Sequence, residues 1–225
     1  MQMNRIRIGA ALFNADHGRL AEEVTRLDSV GIDFVHLDVY DGHFALNLGF
    51  PPETISALRP RTKLPFEVHL GAIDPLRFVP QLAKAGVDLV IIHIESLSMT
   101  HEAISQARMN NVKVGLALTL GTPLERLIPV IKSVDAVLLL SRVIGEGTQN
   151  EPFNPTVLSR VQRAREMAQA ADDEVDVQVV GGIKPENIPD LVSAGASSLG
   201  FGRSLYRVPD MAKEVEKIRA LTQRT

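Results

Sequence analysis

The chain has no cysteine. Disulfides and thiolate metal ligands are therefore excluded, while the compartment stays open. No basic run stands out: 24 Lys and Arg face 27 Asp and Glu, for a net charge of −3. That balance argues against a nucleic-acid partner. No apolar stretch approaches the roughly 18 residues that span a bilayer. Met1-Gln2-Met3-Asn4-Arg5 lacks the apolar core and cleavage site of a signal peptide. No Gly-x-Gly-x-x-Gly follows the first strand, which weighs against a doubly wound dinucleotide sheet. These absences leave a soluble, cytoplasmic protein with a small-molecule partner, and neither nucleic acid nor membrane.

What is present is apolar sequence in short, regularly spaced runs. The 225 residues are 45% hydrophobic, enough to fill a sizeable core, and 1–225 reads as a single domain. Strand signals fall at Ile6–Leu12, Phe34–Val39, Phe66–Leu70, Leu89–His93, Lys113–Leu118, Ala136–Leu140, Val177–Val180 and Ser197–Gly200. Between them lie helix signals. Asn14 or Asp16 can cap the first, and Pro51-Pro52-Glu53, Asp74-Pro75, Thr122-Pro123, Asn154-Pro155 and Lys184-Pro185-Glu186 open later ones. Another covers Thr100–Asn110, and a last helix runs over roughly 210–221. Eight strand–helix units with nearly all-apolar strands predict an α/β fold, a (β/α)8 TIM barrel with a parallel sheet.

Polar residues interrupt this pattern at chosen places. In Val35-His36-Leu37-Asp38-Val39, residues two apart share a face, so His36 and Asp38 point one way and the apolar residues the other. Glu67 and His69 repeat the arrangement on the next strand, and His93 and Glu95 on the one after. Two imidazoles and a carboxylate on adjacent strands match the ligand set of a divalent metal, or can move a proton. The alternative is a hydrogen-bonded polar layer closing the barrel mouth. His93 and Glu95 read as supports, Asp41 as a turn cap, and His17, His43 and His101 carry no special weight.

Barrels place their chemistry at the C-terminal ends of the strands, and phosphate often binds after strands seven and eight. Those loops read Val180-Gly181-Gly182-Ile183-Lys184 and Gly200-Phe201-Gly202-Arg203-Ser204. Gly181, Gly182 and Gly202 would let backbone N–H groups close around an anion, with Arg203 and Ser204 adding donors. The same glycines would equally serve tight turns. Gly145 and Gly147, in a long polar loop after strand six, suit a ligand-facing segment.

Taken in order, these motifs resemble the ribulose-phosphate 3-epimerase family. The carriers are His36-x-Asp38-x-x-Asp41-Gly42-His43-Phe44-x-x-Asn47, Val68-His69-Leu70, His93-x-Glu95, Gly145-x-Gly147-x-Gln149 and Gly181-Gly182-Ile183-Lys184-Pro185-x-Asn187-Ile188. They extend from about Ile8 to Tyr206. The resemblance implies a ribulose-phosphate-binding barrel that inverts C3 of a pentulose phosphate. It also implies zinc, iron or manganese held by two His and two Asp, the two Asp serving as acid and base. His36, Asp38 and His69 fall on three metal ligands, and Asp38 on one acid–base carboxylate. The other Asp is replaced by Val180. Family methionines correspond to Tyr40, Gly71 and Leu140, a serine to Ala11, and a Gly-Ser pair to Gly202-Arg203.

The expectation is a sugar-phosphate epimerase or isomerase of altered substrate or reaction, acting through an enediolate with Asp38 as acid and base. Tyr40, Glu67 or Glu146 would have to replace the lost acid, and Gly71 would open room for a bulkier substrate. A homo-oligomer is expected. Two alternatives are a non-catalytic sugar-phosphate binder and a lyase or decarboxylase of the same superfamily.

Overall fold

The computed structural model describes residues 5–143, 152–171 and 175–223. Eight parallel strands close into a barrel in sequence order: β1 Arg7–Ala11, β2 Phe34–Tyr40, β3 Phe66–Gly71, β4 Leu89–His93, β5 Lys113–Leu118, β6 Ala136–Leu140, β7 Asp176–Val180 and β8 Ser198–Phe201. β8 returns to pair with β1, so no strand edge is left open. The fold is a (β/α)8 TIM barrel.

Strand alternation divides the apolar residues into two cores. Val35, Leu37 and Val39 turn outward into the large layer between strands and helices. Leu89, Ile91, Ala117, Ala136 and Leu138 fill the barrel interior, with Val180 packed against them. His36 and Asp38 follow the inward alternation, and so does Tyr40, because β2 runs one residue beyond its expected end.

The helices are α1 Leu20–Ser29, α2 Pro52–Leu58, α3 Val79–Lys84, α4 Thr100–Met109, α5 Thr156–Gln169, α6 Ile188–Ser193, α7 Arg203–Tyr206 and α8 Met211–Leu221. The Asp210 carboxylate accepts from the Lys213 N–H at 3.2 Å and so caps α8. The helix expected from Thr122-Pro123 is absent; two 3-10 turns, Leu124–Leu127 and Ile131–Ser133, take its place. Pro129 explains this, since its ring would clash with the carbonyl four residues back and it lacks an N–H to donate. α7, four residues long, has no sequence signal of its own.

Glu67 corrects a second expectation. It faces inward at the N-terminal end of the barrel, where Arg7 binds it and Gln178 donates to it at 2.8 Å. Arg7 also reaches Asp176 at 2.8 Å. Burial pushes the Glu67 carboxyl upward against the pull of Arg7. It lines a separate cavity with Arg7 and Asp176, so it belongs to the end of the barrel where polar residues serve stability.

Candidate active site

At the other end a cavity of about 390 Å3 opens among the strand C-termini. His36, Asp38, Tyr40 and His69 line one side of it, and Val180, Gly181, Gly182, Gly202, Arg203 and Ser204 the other. The β2–β3 register sets Asp38 beside His69, which is why residues 31 apart in sequence meet here. Among the described residues, His36, Asp38 and His69 form the one group whose potential metal-ligating atoms all lie close together, within 4.8 Å.

Asp38 Oδ1 is the centre of this group. It lies 3.4 Å from His36 Nε2 and 3.3 Å from His69 Nδ1, and it accepts from the Tyr40 hydroxyl at 2.8 Å. Burial opposes charge on Asp38, but its polar neighbours, the His36 ring first, outweigh it and hold the carboxyl well below the usual carboxylate range. Burial, with Asp38 second, drives the Tyr40 phenol well above its ordinary value, so it stays a donor at neutral pH. His69 is pushed down to about 4, chiefly by burial, and is neutral at pH 7.

The space foreseen beside Gly71 belongs to Tyr40. A Cβ on Gly71 would meet Tyr40 Cδ1 at 2.7 Å. Glycine on β3 therefore makes room for the ring that reaches Asp38, not for a larger ligand.

Behind His69 stands a second polar pair that spacing alone could not join to it. His93 Nε2 lies 2.8 Å from His69 Nε2, and His93 Nδ1 lies 3.0 Å from Glu95 Oε2. Glu95 Oε1 accepts from the Thr119 N–H at 2.8 Å and from the Thr122 hydroxyl. Burial would raise the Glu95 carboxyl, but the bonds from His93, Thr122 and Thr119 hold it down to about 2. His93 is fully buried, with the Phe44 ring 4.6 Å from its own.

The far wall is built of backbone. Gly181 and Gly182 have φ of +109° and +66°, conformations that side-chain-bearing residues rarely adopt. The Ser141 hydroxyl donates to the carbonyls of Val180 and Gly181 and so ties down this turn. Gly202 packs against Asn14, whose amide would be 2.8 Å from a Cβ there. Arg142 and Lys184 also line the cavity, as do Asn14 and Asn47, none of which had been singled out as a site residue. Gly145, Gly147 and the candidate acid Glu146 lie outside the described residues.

A family model described as "Ribulose-phosphate 3 epimerase family" matches residues 7–206. The chain belongs to the ribulose-phosphate 3-epimerase family. The ribulose-phosphate 3-epimerase of Synechocystis sp. is 32% identical over 216 residues, covering 95% of this chain and 93% of that one. The Bacillus subtilis enzyme of the same name is also 32% identical, covering 95% and 98%. Among solved structures, a 3-hexulose-6-phosphate synthase aligns with a TM-score of 0.72 at 21% identity, covering 96% and 99%. At that identity the likeness speaks for the fold alone.

The cluster fits a divalent ion of the kind associated with this family. Two imidazole nitrogens and a carboxylate oxygen form a suitable donor set. His36 turns its Nε2 to Asp38, and its Nδ1 is buried without a hydrogen-bond partner among the described residues. The position where the family resemblance puts a fourth ligand carries the Val180 side chain, packed on the inner apolar cluster.

Proposed function

We propose that the protein is a sugar-phosphate epimerase or isomerase in which Asp38 moves a proton at the carbon beside a carbonyl. The observation that carries this reading is Asp38, between His36, His69 and Tyr40, in the same cavity as the glycine-lined wall. Gly181, Gly182, Gly202, Arg203 and Ser204 hold the phosphate, with backbone N–H groups and a guanidinium as donors. His36, Asp38 and His69 hold a zinc, iron or manganese ion. When bound, that ion supplies charge to stabilise an enediolate.

The protein's own groups supply the proton chemistry. With the phosphate seated, the reacting carbons lie toward β2 and β3. Asp38 takes the proton from the carbon, and the electron pair moves onto the carbonyl oxygen. Tyr40 steadies the ionised Asp38, and His69 stays neutral. Asp38 then returns its proton to the same carbon, or to the adjacent one, in which case the hydroxyl proton of the first carbon passes to the former carbonyl oxygen as the new carbonyl forms.

A specific observation favours transfer on a single face. Inversion needs a second acid across the ring of strands, and Val180 stands there on β7, three strands from β2 through β1 and β8. Among the described residues Tyr40 does not replace it, because its hydroxyl lies on Asp38 itself, and Glu67 serves the other end of the barrel. Aldose–ketose isomerisation needs one base, so it ranks ahead of C3 inversion. Metal analysis and proton NMR of ketopentose phosphates in D2O test the reading. Bound metal and deuterium entering a substrate carbon are expected. Tight phosphate-ester binding without exchange would instead indicate a non-catalytic binder.

A further inference from the structure

We propose that Glu95 and His93 are positioning residues that fix the tautomer of His69, leaving its Nδ1 lone pair directed at Asp38. This rests on the metal-assisted reading above and adds the device that prepares one of its ligands.

The argument follows the donors and acceptors in turn. An ionised carboxylate only accepts hydrogen bonds. Glu95 Oε1 is occupied by the Thr119 N–H and the Thr122 hydroxyl, and Oε2 faces His93 Nδ1 at 3.0 Å. His93 therefore carries its hydrogen on Nδ1. In a neutral ring that leaves Nε2 as a lone pair. His69 Nε2 lies 2.8 Å from it, a separation that requires one hydrogen between the two nitrogens. That hydrogen belongs to His69. Its Nδ1 is then bare and accepts from the Tyr40 hydroxyl at 3.1 Å, whose hydrogen is shared with Asp38 Oδ1, 3.3 Å from that nitrogen.

Burial closes the alternatives to water. His93 and His69 are 0% and 2% exposed, and the Phe44 ring lies against His93. A ligating histidine commonly has its other ring nitrogen fixed in this way, and losing such support typically costs about 10–100-fold in metal affinity. Here the support passes through a second imidazole before reaching the carboxylate.

Glu95→Gln reverses the direction without removing a bond. The amide oxygen stays with Thr119 and Thr122, which can only donate to it in this arrangement. The amide NH2 then faces His93 Nδ1 and makes it an acceptor. His93 donates from Nε2, and His69 becomes the Nδ1–H tautomer, with its hydrogen pointing at Asp38.

Nitrogen-15 NMR of the imidazoles in the full chain, metal-free and with Zn2+, reads the tautomers directly. The wild type is expected to show His69 protonated on Nε2 and to bind Zn2+. E95Q is expected to show His69 protonated on Nδ1, with Zn2+ affinity about 10–100-fold lower by calorimetry. A wild-type His69 protonated on Nδ1, or doubly protonated His93, overturns the proposal, even if E95Q fails to fold. Unchanged tautomers in a folded E95Q overturn it as well. Absence of Zn2+ binding to the wild type would instead defeat the metal reading, while the tautomer measurement would still decide this one.

Discussion

Tyr40 donates its phenolic hydrogen to Asp38 Oδ1 at 2.8 Å, from two residues further along the same strand. Gly71 on the neighbouring strand is what lets the ring lie there. A donor on the ionised form of a carboxylate lowers its pKa. Tyr40→Phe removes the donor and keeps the ring. Deuterium exchange into a ketose phosphate should fall roughly tenfold, as for a lost hydrogen bond to a charged group. The acidic limb of the pH–rate profile should move to higher pH. An unmoved limb would separate Tyr40 from the ionisation of Asp38.

Asp38 carries the proton in the proposed reaction, whereas the glycine wall carries the phosphate. Asp38→Asn should therefore lower exchange by about 10²-fold or more. Affinity for glycerol phosphate should stay within a few-fold. Exchange at the wild-type rate would remove Asp38 from the chemistry.

Burial of neutral His69 makes stability depend on pH. In the unfolded chain its ring protonates below about 6.5; in the folded protein it waits until about 4. Between those values the unfolded state binds the extra proton, so stability falls as pH falls and then levels off. The loss from this residue is at most about 3 kcal/mol. Glu95, held down to about 2 from 4.5, adds a separate loss at lower pH, as its native bonds are protonated away. Urea unfolding with a chelator present, at pH 4 to 7, should show a flatter pH slope for His69→Gln than for the wild type.

The apolar runs made the barrel legible: Leu89–His93, Lys113–Leu118 and Ala136–Leu140 begin and end where the sequence pattern predicts. Buried parallel strands are almost wholly apolar, so their ends are marked by the first turn residues. The Thr122-Pro123 segment misled because its opening signal is genuine but Pro129 forbids the helix that should follow. Alternation likewise identified His36, Asp38 and His69 as neighbours. It gives the face of a strand but not the depth, and so it grouped Glu67 with His69 although Glu67 serves the opposite end of the barrel. The fit of Tyr40 beside Gly71, and of His93 behind His69, depends on side-chain volume across strands, which no spacing along one strand encodes.

Arg203 opens α7 at the rim of the glycine wall. A guanidinium on a phosphate forms charge-assisted bonds that a neutral side chain cannot match. Arg203→Gln should weaken glycerol phosphate binding about tenfold, and the loss should shrink at high salt. Equal affinity in the two proteins would assign the phosphate to the backbone alone.

Val180 offers the sharpest test of which reaction the site performs. Its side chain lines the cavity and touches the inner apolar cluster, and the neighbouring Gly200 leaves it space, since a Cβ there would lie 2.6 Å from Val180 Cγ1. Aspartate is close to valine in size, so Val180→Asp should fold with a loss of about 1–3 kcal/mol for the polar group now placed against apolar neighbours. The new carboxylate would line the same cavity as Asp38, His36 and His69. Each positioned acid or base contributes about 10²–10⁴-fold. V180D should therefore accelerate C3 inversion of a ketopentose phosphate over the wild type by that order, with solvent deuterium at C3 of the inverted product. It should also bind Zn2+ more tightly, having gained a fourth donor. A folded, metal-loaded V180D that still fails to invert C3 would show that one missing acid does not account for the altered mouth. Tyr40 and Arg142 would then be the next residues to exchange.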